Sequence, residues 1–250
     1  MYNESNGVSA VIICKNAESH ILAVVEALMD VDEILVYDTG STDKTVEILE
    51  NCHWVTVRRG AFRGFGQTKS HAISLAKFDW ILSLDADEVA NPELITACYQ
   101  FAENPINFLG SIRRKNYFMN EEIHYSGWGN DWLIRFFNRS HTNFNETAVH
   151  EAVRVPVNSK VTRLNGYIKH YAVDNVAQLA TKTLFYSKLR SDSNQSVTIA
   201  ILKAAWKFFH TYILRLGVLD GRRGLLIAHA NAIGTFWRHT IRLFNSNEQR

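Results

Sequence analysis

The densest chemistry in the chain is Leu84-Asp85-Ala86-Asp87-Glu88. Two carboxylates two residues apart on an extended backbone can hold a hard divalent cation. Mg²⁺ and Mn²⁺ take oxygen ligands and prefer one or two carboxylates completed by phosphate oxygens. The same letters also suit an acidic turn or helix start, so position must decide. A second cluster, Asp38-Thr39-Gly40-Ser41-Thr42-Asp43, offers a carboxylate that can accept hydrogen bonds from a base or a ribose hydroxyl. Gly40 permits a tight turn there, and Ser41 or Thr42 is expected to cap the next helix. A third cluster is Cys14-Lys15-Asn16-Ala17-Glu18.

Each cluster follows a strand-like run. Val8–Cys14 is short, apolar and β-branched, as in a strand buried on both faces. Residues 33–38 and 80–84 read the same way, and a further strand is expected at 54–57. Helical spacing occupies residues 17–29, 44–50 and 64–77. Asn91-Pro92-Glu93 opens another helix, with an Asn cap and Pro at the first helical position. This βαβαβαβ order predicts a parallel, doubly wound α/β sheet that presents ligands at the C-terminal ends of its strands. The three polar clusters then converge on one crevice. After about residue 105 the pattern changes to strands at 108–118, 132–138 and 161–171, then to helices from Asn175 onward.

Composition excludes other classes. The 250 residues are 46% hydrophobic and 21% charged, which is globular, and 3 prolines with 13 glycines exclude collagen-like or linker-rich chains. No apolar run is expected to approach the ~18 residues that span a bilayer. The polar start, Met1 to Gly7, does not read as a secretory signal. Three cysteines, Cys14, Cys52 and Cys98, form no CxxC, and a reduced, cytoplasmic protein is expected. The net charge of +2 hides an asymmetry. Residues 1–50 carry two basic and ten acidic side chains, whereas residues 151–250 carry fifteen basic and five acidic. A basic half suits nucleic acid, anionic lipid or a phosphorylated substrate.

The ordered set Lys15-Asn-x-Glu18, Asp38-x-Gly-Ser-x-Asp43, Arg63-Gly-Phe-Gly with Lys69, and Asp85-Ala-Asp-Glu88 resembles family 2 glycosyltransferases of the GT-A fold. Within them it is most similar to the bacterial lipopolysaccharide-core β-glucosyltransferases. The resemblance continues through Trp128, Arg135-Phe-Phe137, Val149-His-Glu151, His170-Tyr171 and Leu219-Asp-Gly-Arg-Arg-Gly224. It implies a GT-A catalytic domain over residues 1–173 and a helical region over 174–250. It also implies an inverting, metal-dependent transfer of a hexose, glucose from UDP-glucose, to a lipopolysaccharide-core or similar glycan or glycolipid. By the same resemblance Lys15, Glu18, Asp38, Lys69, Asp85, Trp128 and Arg135 would bind the nucleotide sugar. Asp87, Asp85 and His170 would hold Mg²⁺ or Mn²⁺. Glu151 would be the general base, with Asp131, in the aromatic loop Gly127-Trp-Gly-Asn-Asp-Trp132, as the alternative.

Two other classes compete. A sugar nucleotidyltransferase would be expected to carry a Gly-rich basic loop after its first strand, whereas this chain has Cys14-Lys-Asn-Ala-Glu-Ser19. A non-catalytic module that binds nucleic acid or anionic membrane would use the basic half but leave the acidic crevice unexplained. Nucleic acid is therefore not expected as a partner. In the C-terminal region Ile199, Leu202, Trp206, Phe209, Ile213 and Leu216 follow helical spacing, with Lys203, Lys207 and His210 on another face. Two readings stay open: a helix packed on the catalytic domain, or an interfacial helix on the anionic inner face of the cytoplasmic membrane.

Overall fold

The computed structural model describes residues 7–145, 151–189 and 196–245. The chain forms two compact units, Met1–Arg114 with Asp131–His170, and Lys115–Asn130 with Tyr171–Arg250. The second unit therefore takes in residues 115–130, which the linear division at 173/174 assigns to the catalytic domain.

In the first unit β1 (Val8–Cys14), β2 (Glu33–Asp38), β3 (Val55–Arg59) and β4 (Trp80–Asp85) are parallel, in the order β3-β2-β1-β4. The sheet continues antiparallel through β8 (Asp131–Asn138) to β6 (Phe108–Phe118), then β9 (Lys160–Val173) and β5 (Glu88–Ala90). Alternation along β1 explains the layers. Ala10 and Ile12 join Val24, Val25 and Leu28 on one face, and Val11 joins Ala72 and Ile73 on the other. The helices responsible are α1 (Ile21–Glu26) and α4 (Pro92–Phe101) on the first face and α3 (Phe65–Ser74) on the second; α2 (Thr45–Glu50) completes the set. Asn91 caps α4 as expected, its side chain accepting from Leu94 N at 3.3 Å.

One local expectation fails. Neither Ser41 nor Thr42 caps α2; the side chain of Asp43 accepts from the backbone and hydroxyl of Thr45 instead, at 3.0 and 2.6 Å. Ser41 is committed to Asp38, to which its hydroxyl donates, and so is unavailable.

The second unit holds the ends of β6 and β9, the short strand β7 (Glu121–Glu122), and three helices: α5 (Val176–Leu189), α6 (Val197–Phe209) and α7 (Gly221–Asn245). A π-helical turn, His210–Leu214, prolongs α6. Phe118, Ile123, Ala172, Val173, Leu179 and Ile227 form its core. The Leu219-Asp-Gly-Arg-Arg-Gly224 motif has structural work here. Asp220 accepts from the N–H groups of His124 and Tyr125 and from the Ser126 hydroxyl. Arg223 donates to Phe118 O and pairs with Glu121 at 2.7 Å. A Cβ at Gly224 would lie 1.9 Å from Gly217 O, so the close approach of the chain at that point requires glycine.

Candidate functional site

Parallel registry places the three polar clusters at one level. Cys14 pairs with Asp38, and Ile13 pairs with Asp85, so the C-terminal ends of β1, β2 and β4 open together. The strand order reverses between β1 and β4, which is where open α/β sheets form their ligand crevice.

The β1 and β2 ends are zipped to each other. Asn16, in the left-handed region at φ 52, accepts from Thr42 N at 2.8 Å and donates its own N–H to the Ser41 hydroxyl at 2.9 Å. Glu18 accepts from Lys44 N at 3.0 Å and donates its N–H to Asp43 at 3.1 Å. Asp38 is buried, and its carboxylate accepts from the N–H groups of Gly40 and Ser41. It also receives a bond from the Cys14 thiol at 3.6 Å. Burial first, and then the Asp38 charge, push the Cys14 thiol well above its ordinary pKa, so it remains a protonated donor. Of the residues expected around the nucleoside, Asp38 is thus spent on the loop, while Lys15 and Glu18 are exposed at the rim.

From the β4 end runs a continuous chain of alternating charges. Glu151 meets Lys69 at 3.1 Å, and Lys69 meets Asp85 at 2.7 Å. Asp85 uses its other oxygen on Arg135 at 2.8 Å. Arg135 reaches Glu88 at 3.4 Å; Glu88 meets Arg114 at 3.1 Å; Arg114 meets Asp131 at 2.8 Å. Its central members are deeply buried, with side-chain exposures of 2% for Lys69, 7% for Arg135 and 0% for Glu88. Burying charge this deeply is strongly unfavourable unless each one is paired, and here each is. Burial alone would raise the Asp85 pKa, but Arg135 and then Lys69 outweigh it and hold the carboxylate well below its usual range. Burial opposes the charge of Arg135 likewise, and Asp85 and Glu88 restore it, leaving the guanidinium more firmly protonated than usual. Phe144 covers Lys69 at 5.2 Å from its ring centre.

Local structure explains why these side chains arrive. Lys69 sits on the sheet-facing side of α3, in the same row as Gly66, Ala72 and Ile73. Arg135 is the extra residue of a β-bulge, because Gly110 pairs with Phe136 and Ser111 with Ile134. A bulge leaves its extra residue unpaired and re-aims it. Opposite it, a Cβ on Gly110 would stand 2.5 Å from Leu164 and 3.0 Å from Phe136. Arg114 and Asp131 are direct cross-strand partners of β6 and β8. The Nε of Arg135 is buried with no hydrogen-bond partner among the described residues.

The short strand β5 brings in the last participant. Its antiparallel registry sets Glu88 opposite His170 on β9, which carries the His170 imidazole to 3.7 Å from the Asp87 carboxylate. Among the described residues, no three His, Cys, Asp or Glu side chains group as a self-sufficient metal cage. Asp87 and His170 together offer one carboxylate and one imidazole, a donor pair that suits a cation completed by substrate oxygens. Asp85 stands beside them with both of its oxygens already on cations.

Asp131 ends the charge chain at the side away from Glu151. Trp128 belongs to the second unit, where its ring meets Phe118 edge-on and its carbonyl accepts from Asn116. His150 lies outside the described residues. Two participants were not assigned roles from sequence, Glu88 and Arg114. Glu88 was visible only as the tail of the acidic motif, and Arg114 as one of several basic residues in a strand.

Comparison with known proteins identifies the family. Residues 9–160 match the family model for glycosyl transferase family 2. An uncharacterized glycosyltransferase of Rickettsia conorii is 28% identical over 93% of this chain and 88% of its own length. The lipopolysaccharide core biosynthesis glycosyltransferase LpsC of Rhizobium meliloti is 23% identical over 94% of this chain and 93% of its own. Among solved structures, glucosyl-3-phosphoglycerate synthase of Mycobacterium tuberculosis, solved with Mn²⁺, UDP and glucosyl-3-phosphoglycerate, aligns over 44% of each chain at 20% identity and a TM-score of 0.38. With a polar crevice at the ends of its parallel strands and a family match over most of the first unit, the chain belongs to glycosyl transferase family 2 and is a glycosyltransferase.

Proposed function

We propose that the enzyme transfers a hexose, glucose from UDP-glucose, to a lipopolysaccharide-core or related glycolipid, with inversion and with help from Mn²⁺ or Mg²⁺. The observation that carries this reading is the shared lysine. Lys69 touches both Asp85, at the donor end of the crevice, and Glu151, the group proposed to work on the acceptor. One buried side chain therefore fixes the spacing between the two halves of the reaction.

In this reading Glu151 takes the proton from the acceptor hydroxyl as that oxygen attacks the anomeric carbon. The diphosphate leaves from the opposite face. A single protein carboxylate suffices, unlike the pair that glycosidases use. Asp131 is the weaker candidate for this task, because Nε and Nη2 of Arg114 both hold one of its oxygens at 2.8 Å. Arg135, whose Nε lacks a partner among the described residues, supplies positive charge toward the diphosphate. Lys15 and Glu18 line the nucleoside side of the rim. Asp87 and His170 are the residues that would hold the cation, which when bound neutralises charge on the departing diphosphate. Their mixed oxygen and nitrogen donor set favours Mn²⁺ over Mg²⁺. The LpsC resemblance supports the acceptor class, and such an acceptor sets the work at the cytoplasmic face of the inner membrane.

The test is transfer from a panel of nucleotide sugars, with Mn²⁺, with Mg²⁺ and with EDTA, in the wild type and in Asp87→Asn. The expected result is UDP-glucose turnover that EDTA abolishes and Asp87→Asn lowers by at least about 10², since an amide replaces an anionic ligand. Full activity in EDTA would remove the metal. Turnover confined to another nucleotide sugar would replace the donor.

A further inference from the structure

We infer that the outward face of α6 and its π-helical extension is a docking surface for anionic lipid, on which the helix lies in the plane of the membrane without crossing it. The helix is built inside out. Its most deeply buried positions are small or polar, Ala200 at 0% and Thr211 at 1% exposure, beside the half-buried Phe208. Its outward row is large and apolar: Leu202 is 65% exposed, Trp206 59%, Phe209 44% and Ile213 43%. A helix of a water-soluble domain turns its large apolar stripe toward the core. Small residues toward the neighbouring helix and bulky ones outward is the arrangement of helices that face lipid. Leu216, Val218 and Leu219, which follow in the chain, are exposed as well.

Charge selects the occupant. Between residues 197 and 245 the chain carries seven Lys and Arg and a single acidic residue, Asp220, which is committed to the 124–126 loop. Lys203 and Lys207 lie on the same helix as the apolar row, and Arg215 and Arg222 follow it. Exposed aromatics flanked by cations are matched by a surface with acyl chains beneath anionic headgroups. A second copy of the chain would bring the same positive charge and be repelled.

The segment Val197–Leu214 is 18 residues long with a mean hydropathy of 1.2, so length and composition alone would let it span a bilayer. Its packing argues against that. Thr211 accepts from Asn231 of α7 at 3.5 Å, and Phe208 meets His229 edge-on at 4.9 Å between ring centres. α7 also carries Arg222, Arg223, Arg238 and His239, so lipid could surround α6 only by stripping it from α7. At Leu216, in the left-handed region at φ 54, the helix ends.

This inference deepens the glycolipid-acceptor reading and takes its purpose from it. Its test needs neither donor nor acceptor, so the two can fail separately. The purified protein is sedimented with phosphatidylcholine vesicles and with vesicles of equal parts phosphatidylcholine and phosphatidylglycerol. Binding to the anionic vesicles is expected to exceed binding to the neutral ones by at least about tenfold at low salt and to decline as salt rises. Lys203→Gln with Lys207→Gln should weaken it, and Leu202→Gln with Phe209→Gln should abolish it. Should the apolar variant not fold, wild type and Trp206→Phe are compared on anionic vesicles with acyl-chain-brominated lipid; the conservative change should remove most of the tryptophan quenching. Equal binding to both vesicle types, binding to neither, or quenching unchanged in Trp206→Phe would overturn the inference. So would a dimer in lipid-free solution that Leu202→Gln with Phe209→Gln dissociates.

Discussion

The two units break opposite rules of burial. The first hides charge: Lys69, Arg135 and Glu88 are almost completely enclosed. The second displays bulk, leaving Leu202 and Trp206 more than half exposed while Ala200 is fully covered. They differ in compensation. Every member of the Lys69–Arg135–Glu88 charge chain meets an opposite charge within 3.4 Å. The apolar row of α6 keeps Leu202, Trp206, Phe209 and Ile213 between 43% and 65% exposed. A compensated violation points to an internal purpose, namely holding groups at set distances. An uncompensated one points outside the molecule.

The sharpest way to break this contrast is Lys69→Met. If the charge chain is compensated through Lys69, its removal takes the cation from Glu151 and leaves Asp85 with Arg135 alone. The expected cost is about 3–5 kcal/mol of stability, the range for breaking a buried pair from one side. Turnover should fall by more than about 10², since both halves of the proposed reaction lose a positioning group. Denaturant unfolding and steady-state kinetics measure the two effects. A Lys69→Met protein as stable as wild type would mean that the charges are solvated and the pairing incidental.

The next test separates the two ends of the chain. Glu151→Gln should lower turnover by about 10² or more with donor affinity nearly unchanged, whereas Asp131→Asn should cost mainly stability, because Arg114 loses a partner. Titration calorimetry with the nucleotide sugar, set beside turnover, distinguishes them. The reverse pattern would exchange the roles.

For the second unit, the inside-out packing makes an inverted forecast. Leu202→Ala, normally a costly change in an amphipathic helix, should alter stability by no more than about 0.5 kcal/mol, as for an exposed site. Ala200→Leu should cost about 1–3 kcal/mol by overpacking the interface with α7. Chemical denaturation of both variants checks the order. A larger loss in Leu202→Ala would return α6 to the ordinary class of packed helices.

Legibility from sequence follows the same physical divide. The parallel strands were readable because each is a β-branched run closed by polar residues, and Val8–Cys14 and Glu33–Asp38 coincide with their expected limits. The acidic motif was readable as a strand-end cluster. The partners of that motif were named only through the family resemblance, not from any periodicity or spacing of their own. β5 has three residues, too few for any period, yet its registry is what carries His170 to Asp87. The bulge at Arg135 is a relation between two strands and leaves no trace in either alone. Lys69, named by the resemblance, stands from its own neighbours only as a lysine in an otherwise small and apolar row of α3, and that row becomes informative once the buried face is known. The apolar stripe of α6 was legible from spacing. Its direction was not, because spacing defines a face without saying which way it points.

The smallest expected effect calibrates the other three, because it concerns polar contacts that are neither buried nor exposed and apolar. Asp43 bridges the rim loops, accepting from Thr45 and from the backbone of Glu18. Slight burial pushes its pKa up, but the hydrogen bonds from Thr45 and Glu18 outweigh this and hold it below the ordinary value. A carboxyl whose folded pKa lies below its unfolded one stabilises the protein at pH above the unfolded value, about 3.9. That contribution fades as pH falls through the lower, folded value. Asp43→Asn should therefore leave less stability at neutral pH and a flatter stability curve below about pH 4. The group is open to solvent, so the difference should stay under about 1 kcal/mol. Unfolding midpoints for both proteins across acid pH decide it. A loss at neutral pH as large as that of Lys69→Met would mean that rim contacts weigh as much as buried ones, and burial would no longer explain why the charge chain is special.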